Sequence, residues 1–335
     1  MRYTLWIVVF VFTACSTQQK EEVQSSKFAT IGSVERLDSA LNSFFSSDAE
    51  IEVLASGFEW AEGPLWLKKE DALIFTDVPT NKIWKWTEKD SLSLYLEPSG
   101  YLGDRKDKRE PGANGLALSD AGDLILCQHG ERQIGKMLAP IDAPKAEFQA
   151  LATSFEDKRF NSPNDLVFNS KGQLFFTDPP YGMDPWDEKE MDIQGVYRLD
   201  PEGKVSLLVD SLSRPNGVAL SPDEKILYVA QSDPQKARYY AFDLDDHGNV
   251  TSGKVLLDVT SQQSQSRKGL PDGLKVHSSG TLFASGPGGI LVISAEGKHL
   301  GTVLTENGTA NCAFDAVEKY LYMTADAYLM RIKMK

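Results

Sequence analysis

Six places along the chain set an acidic or amide residue directly before a short apolar run. They are Glu62-Gly63-Pro64-Leu65-Trp66, Asn114-Gly115-Leu116-Ala117-Leu118, Asn164-Asp165-Leu166-Val167-Phe168, Asn216-Gly217-Val218-Ala219-Leu220, Asp272-Gly273-Leu274-Lys275-Val276 and Asn311-Cys312-Ala313-Phe314. Taken singly, an Asn-Gly or Asp-Gly pair marks a tight turn. As six equivalents whose first residues face one axis, they place Glu62, Asn114, Asn164, Asn216, Asp272 and Asn311 in a ring of oxygen donors, with neither thiolate nor imidazole. Hard oxygen donors favour calcium, magnesium or manganese over softer metals. Two carboxylates balance one divalent cation, and without it Glu62 and Asp272 repel each other near the axis. The expectation is one divalent metal ion, calcium in first place, with magnesium, manganese and zinc as alternatives.

The spacing of the six starts names the elements that carry them. They lie 52, 50, 52, 56 and 39 residues apart, the length of one four-stranded propeller blade each. Within the third unit, β-rich runs fall at 166–168, 174–177, 196–199 and 205–209, and within the fourth at 218–220, 226–230, 239–244 and 255–259. The sixth unit holds only three runs before the chain ends. An unassigned strand at 51–55 supplies the fourth, so the expected fold is all-β, a six-bladed β-propeller closed by pairing of an N-terminal strand with the last blade. That closure hides edges that would otherwise invite aggregation. Turns between first and second strands are short. The long connections, 97–113, 152–163, 179–195 and 260–271, share the opposite face with the ring, and function concentrates on long loops carried by a rigid scaffold. His129, one of four histidines, ends a second strand on that face and is a candidate for proton transfer or substrate contact. Asp178 holds the corresponding place in the third unit, where its carboxylate is expected to organise the Pro179-Pro180 turn.

Composition sets outer limits. The 335 residues carry a net charge of -13, which repels phosphate backbones and anionic lipid, so no nucleic-acid partner is expected. The mixed-sign run from Gly103 to Glu110 reads as a solvated loop. Arg2, an apolar stretch from Leu5 to Phe12 and small residues up to Cys15 form a signal peptide over residues 1–14. Phe12-Thr13-Ala14-Cys15 resembles a lipobox, which implies acylation of Cys15. A flexible tether then runs over 15–40, and residues 41–335 form the propeller. The implied location is outside the cytoplasm, anchored through lipid and facing the periplasm or cell surface, with no other membrane contact and as a monomer or weak oligomer. Cys127 and Cys312 fall in blades that do not touch and are expected to be free, buried thiols.

Together Trp60-Ala61-Glu62-Gly63-Pro64-Leu65-Trp66, Asn161-Ser162-Pro163-Asn164-Asp165-Leu166, Phe176-Thr177-Asp178-Pro179-Pro180-Tyr181-Gly182, Pro215-Asn216-Gly217-Val218 and Pro271-Asp272-Gly273-Leu274 resemble the blade motifs of the SMP-30/gluconolactonase family. The resemblance covers roughly residues 40–335. It implies a six-bladed propeller, one axial divalent metal and hydrolysis of a small sugar-type lactone. Carried over by motif, Glu62, Asn216 and Asp272 are metal ligands. Asn164 is the fourth axial group, on metal or substrate, and Asp272 doubles as the acid/base residue, with Glu62 or His129 as substitutes. Asn114, Asn164 and His129 are the expected substrate contacts. The run Cys127-Gln128-His129-Gly130-Glu131-Arg132 resembles a His-Gly-x-Arg segment of bacterial gluconolactonase-like members. Two other readings compete: a phosphotriesterase on the same metal, and a noncatalytic carbohydrate-binding lipoprotein stabilised by metal. No Gly-x-Ser-x-Gly elbow is present, which argues against a serine esterase on an α/β sheet.

Overall fold

Alternating apolar runs broken by short turns give strands with one face for each neighbouring blade. In the computed structural model, which describes residues 27–335, these strands form six antiparallel sheets of at least four strands around one axis. The first sheet comprises Ala61–Leu67, Ala72–Asp77, Lys82–Thr87 and Ser91–Leu96; the second Ala113–Leu118, Leu124–Gln128, Gln133–Met137 and Phe148–Ala152. The third, Leu166–Phe168, Leu174–Thr177, Val196–Leu199 and Val205–Val209, matches the sequence reading strand for strand. The fourth comprises Pro215–Leu220, Ile226–Gln231, Arg238–Leu244 and Val250–Asp258; the fifth contains Leu274–Val276, Leu282–Gly286, Gly289–Ile293 and His299–Leu304. The sixth takes Thr309–Phe314, Tyr320–Ala325 and Tyr328–Lys333 from the C-terminal end, and Ile51–Ser56 pairs antiparallel with Tyr328–Lys333, Ile51 opposite Ile332. Cys127 and Cys312 are free and buried in the second and sixth sheets.

The glycine that follows four of the ring positions, Gly63, Gly115, Gly217 and Gly273, has a packing reason. Gly63 lies at φ +44°, and a Cβ there would meet the Asn114 carbonyl oxygen at 2.0 Å; at Gly217 it would meet the Asp272 carbonyl oxygen at 2.2 Å. Inner strands of adjacent blades approach too closely near the axis for a side chain. Second-strand hydroxyls stitch the same seam: Thr76 donates to the Asn114 carbonyl (3.1 Å), Thr177 to that of Asn216 (2.6 Å) and Ser285 to that of Ala310 (2.8 Å). Register shifts fall at the start of the inner strands of the first, second, fourth and sixth blades. Such bulges re-aim side chains beside functional sites.

Residues 33–40, expected to belong to the tether over 15–40, are part of the folded domain. Ser33–Arg36 pairs outside His299–Leu304 and gives the fifth sheet a fifth strand. Residues 39–43 form a 3-10 turn capped by the Asp38 carboxylate, which accepts from the Ala40 amide at 2.8 Å. Leu41, Phe44 and Phe45 then enter the core between the fifth and sixth blades, against Phe283. Sequence pattern hides this strand because Ser33-Val34-Glu35-Arg36 has a single apolar residue and is held by backbone pairing and by the fork of Arg267 on Glu35. The signal segment 1–14 and Cys15 lie outside the described residues.

Candidate functional site

The long-loop face opens into a cavity of about 520 Å³ over the axis, and Glu62, Asn114, Asn164, Asn216 and Asp272 all line it. Five of the six ring positions therefore converge from five different blades. The sixth, Asn311, does not reach the cavity wall. Its amide nitrogen donates to Glu62 Oε2 (3.2 Å), and its oxygen accepts from the Cys312 amide and the Lys275 ammonium (2.9 and 3.4 Å). It braces Glu62 instead of joining the lining.

The carboxylates pay for their burial in altered acidity. Glu62 is 2% exposed, and burial, with the charge of Asp165 adding to it, pushes its pKa up to about 7 against the lowering bonds from Gly63 and Asn311. Asp272 is raised well above the carboxylate range by burial first, then by the charges of Glu62 and Asp165. Its Oδ1 is shielded from solvent and has no hydrogen-bond partner. Lys275 approaches Asp165 Oδ2 to 3.9 Å. Three carboxylates thus face one ammonium at the axis, and a divalent cation would bring the group to neutrality.

The amide of Asn216 is orientated for such a cation. Ser232 Oγ donates to the Pro271 carbonyl, so it must accept from Asn216 Nδ2 (3.0 Å). That leaves Asn216 Oδ1 as the free acceptor. Among the described residues no three His, Cys, Asp or Glu side chains are grouped to hold a metal. A cation on the axis would therefore depend on amide oxygens beside the two carboxylates, which is the chemistry of a hard ion.

The ends of the second strands aim the segments leading into the ring. Asp77 accepts from the amides of Glu59 and Trp60 (3.1 and 3.0 Å), just before Glu62. Asp178 accepts from the amides of Asn161 and Ser162 (both 2.8 Å), just before Asn164, and its burial pushes it up to about 7. Its carboxylate thus secures the preceding segment; Ser162 Oγ, donating to the Pro179 carbonyl at 2.6 Å, ties that segment to the Pro179-Pro180 turn.

His129 is fully buried, outside the cavity lining, with Nδ1 3.2 Å from Glu110 Oε2. Glu110 is the residue that reaches the cavity. The charged run is therefore more than a solvated loop: the Lys108 side chain is 7% exposed and pairs with Asp184 at 3.2 Å, and the Arg109 amide donates to the same carboxylate. Mixed charge concealed this docking because the partners come from the 179–195 loop. Glu110, Tyr181, Arg214, Ser232 and Arg267 also line the cavity, and none of them belongs to the repeated positions that made the ring legible.

Comparison with known proteins places this geometry. The chain is 38% identical over 315 residues to a gluconolactonase of Zymomonas mobilis, covering 92% of this chain and 87% of that protein. Regucalcin of Pongo abelii is 25% identical over 273 residues, covering 80% and 83%. A solved gluconolactonase of Xanthomonas campestris superposes with a TM-score of 0.79 at 28% identity, covering 92% of this chain and 98% of that one. Residues 60–327 match the family described as SMP-30/Gluconolactonase/LRE-like region, and the chain, with its six blades and shared axial cavity, belongs to that family.

Proposed function

We propose that the protein is a carboxylic ester hydrolase that opens a small sugar-type lactone at the axial cavity, with one divalent cation, calcium in first place, held by Glu62, Asn164, Asn216 and Asp272. The observation that carries the cation is the shielded, unpartnered Oδ1 of the half-buried Asp272 together with the buried carboxylate of Glu62, both raised in pKa. The observation that carries the substrate class is the extended similarity to the Zymomonas mobilis gluconolactonase. When bound, the cation supplies Lewis-acid polarisation of a carbonyl oxygen. The chain supplies the rest: Asn114 and Asn164 present amides to the sugar hydroxyls, and the cavity of about 520 Å³ admits a single sugar ring. Asp272, the base expected from the sequence, is committed to the cation, and an oxygen so committed is a weak base.

Hydrolysis of gluconolactone by the purified protein, with and without chelator and beside a phosphotriester, tests this reading. Cation-dependent opening of lactones, with little phosphotriester turnover, is the expected result. Preference for the phosphotriester would reassign the substrate, and a metal-dependent melting temperature without turnover of either would leave only the binding-protein reading. Lipid anchoring at Cys15 and a location outside the cytoplasm are proposed on the signal-like segment alone.

A further inference from the structure

We propose that Glu110 is the catalytic carboxylate that moves the proton during hydrolysis and that His129 is the positioning residue that holds it. The assignment rests on the lactone-hydrolase reading. Glu110 lines the cavity yet its side chain keeps 36% exposure, so water reaches it, whereas Glu62 is 2% exposed and Asp272 belongs to the cation set. Its Oε2 faces His129 Nδ1 at 3.2 Å, and Oε1 accepts no hydrogen bond from the described residues.

His129 is held by its backbone and by close packing on the ring, while its Nε2 is buried with no hydrogen-bond partner among the described residues. Its backbone amide donates to the Gly112 carbonyl at 3.2 Å. Gly182 packs against the ring so closely that a Cβ there would lie 2.6 Å from His129 Cγ. The loop that carries Glu110 is secured independently: the Tyr101 amide donates to the Pro111 carbonyl at 2.7 Å, and Lys108 and the Arg109 amide hold Asp184. Glu110 is thus a water-accessible carboxylate held by a buried donor, the arrangement expected of a preorganised base.

In the reaction, Glu110 takes a proton from water as the water oxygen bonds to the lactone carbonyl carbon. The tetrahedral intermediate then collapses, the ring carbon–oxygen bond breaks, and Glu110 returns the proton to the departing ring oxygen. The product is the hydroxy acid, Glu110 is regenerated as carboxylate, and no other reactant is consumed.

The test compares Glu110→Gln, Glu110→Ala, His129→Asn and His129→Leu with the parent in lactone hydrolysis, with cation content and melting temperature measured on each. Glu110→Gln should lower kcat by about 100-fold or more while KM and cation content stay near the parent's, and formate should restore kcat in Glu110→Ala at least tenfold. His129→Asn keeps a donor near the Nδ1 position and should retain far more kcat than His129→Leu, with KM similar in both. A parent that opens lactones together with a Glu110→Gln variant within threefold of it would overturn the assignment alone. A parent that opens no lactone would overturn the reaction and the assignment together.

Discussion

Replacing Glu62 by Gln should reverse its effect on stability according to whether cation is present. With cation removed at pH 8, Glu62 must ionise against a pKa of about 7, compared with an ordinary 4.5. The native state therefore binds more protons than the unfolded chain between those values, so stability falls as pH rises through the window and is lowest above about 7. The difference corresponds to about 3 kcal/mol. Gln carries no charge, and its carbonyl oxygen can keep the bonds that Gly63 and Asn311 give to Oε2 (2.9 and 3.2 Å). In chelator at pH 8 the variant should melt above the parent by roughly 4 °C, taking about 0.7 kcal/mol/K for the unfolding entropy of a chain this long. Near pH 4.5 that advantage should vanish. In cation at 100-fold over its Kd the parent gains about 2.7 kcal/mol, and the variant, lacking a ligand carboxylate, gains little. Calorimetry in chelator and in excess calcium at both pH values measures all four states. A variant that melts below the parent in chelator at pH 8, yet gains equally from calcium, would refute the placement of the ion on Glu62.

Asp272→Ala should abolish lactone turnover and cation retention together, whereas Asn164→Ala should reduce turnover more than cation content; equal metal loss in both variants would make Asn164 simply another ligand. Deleting the chain through Ala55 should cost roughly 6 kcal/mol or more, because Leu41, Phe44, Phe45 and Ile51 leave the core and Tyr328–Lys333 becomes an edge; a truncation with the parent's denaturation midpoint would sink that account. Cys15→Ser should release the protein from membrane fractions, and a parent already soluble after export would show that no anchor forms.

The repeat was legible because the same physical demand recurs in every blade. An inner strand starts with a polar group at the axis, usually with a small residue next against its neighbour, and this leaves a mark at Glu62, Asn114, Asn164, Asn216, Asp272 and Asn311 that spacing alone exposes. Strand alternation and turn length likewise fixed the face on which the cavity opens. What sequence could not decide was which side of the axis each polar group serves. Asn311 carries the same mark as the others but braces Glu62, because Lys275 and Cys312 occupy its oxygen. Glu110 carries no mark: it lies in a charged run whose partners, Asp184 and His129, come from other segments. Ser33–Arg36 escaped for the same reason, since a strand held by its neighbour's backbone needs no apolar pattern of its own. Local periodicity therefore determined the blades and the ring, while contacts between residues distant in sequence decided which carboxylates meet the cavity, which are braced behind it, and that Ser33–Arg36 joins the fifth blade.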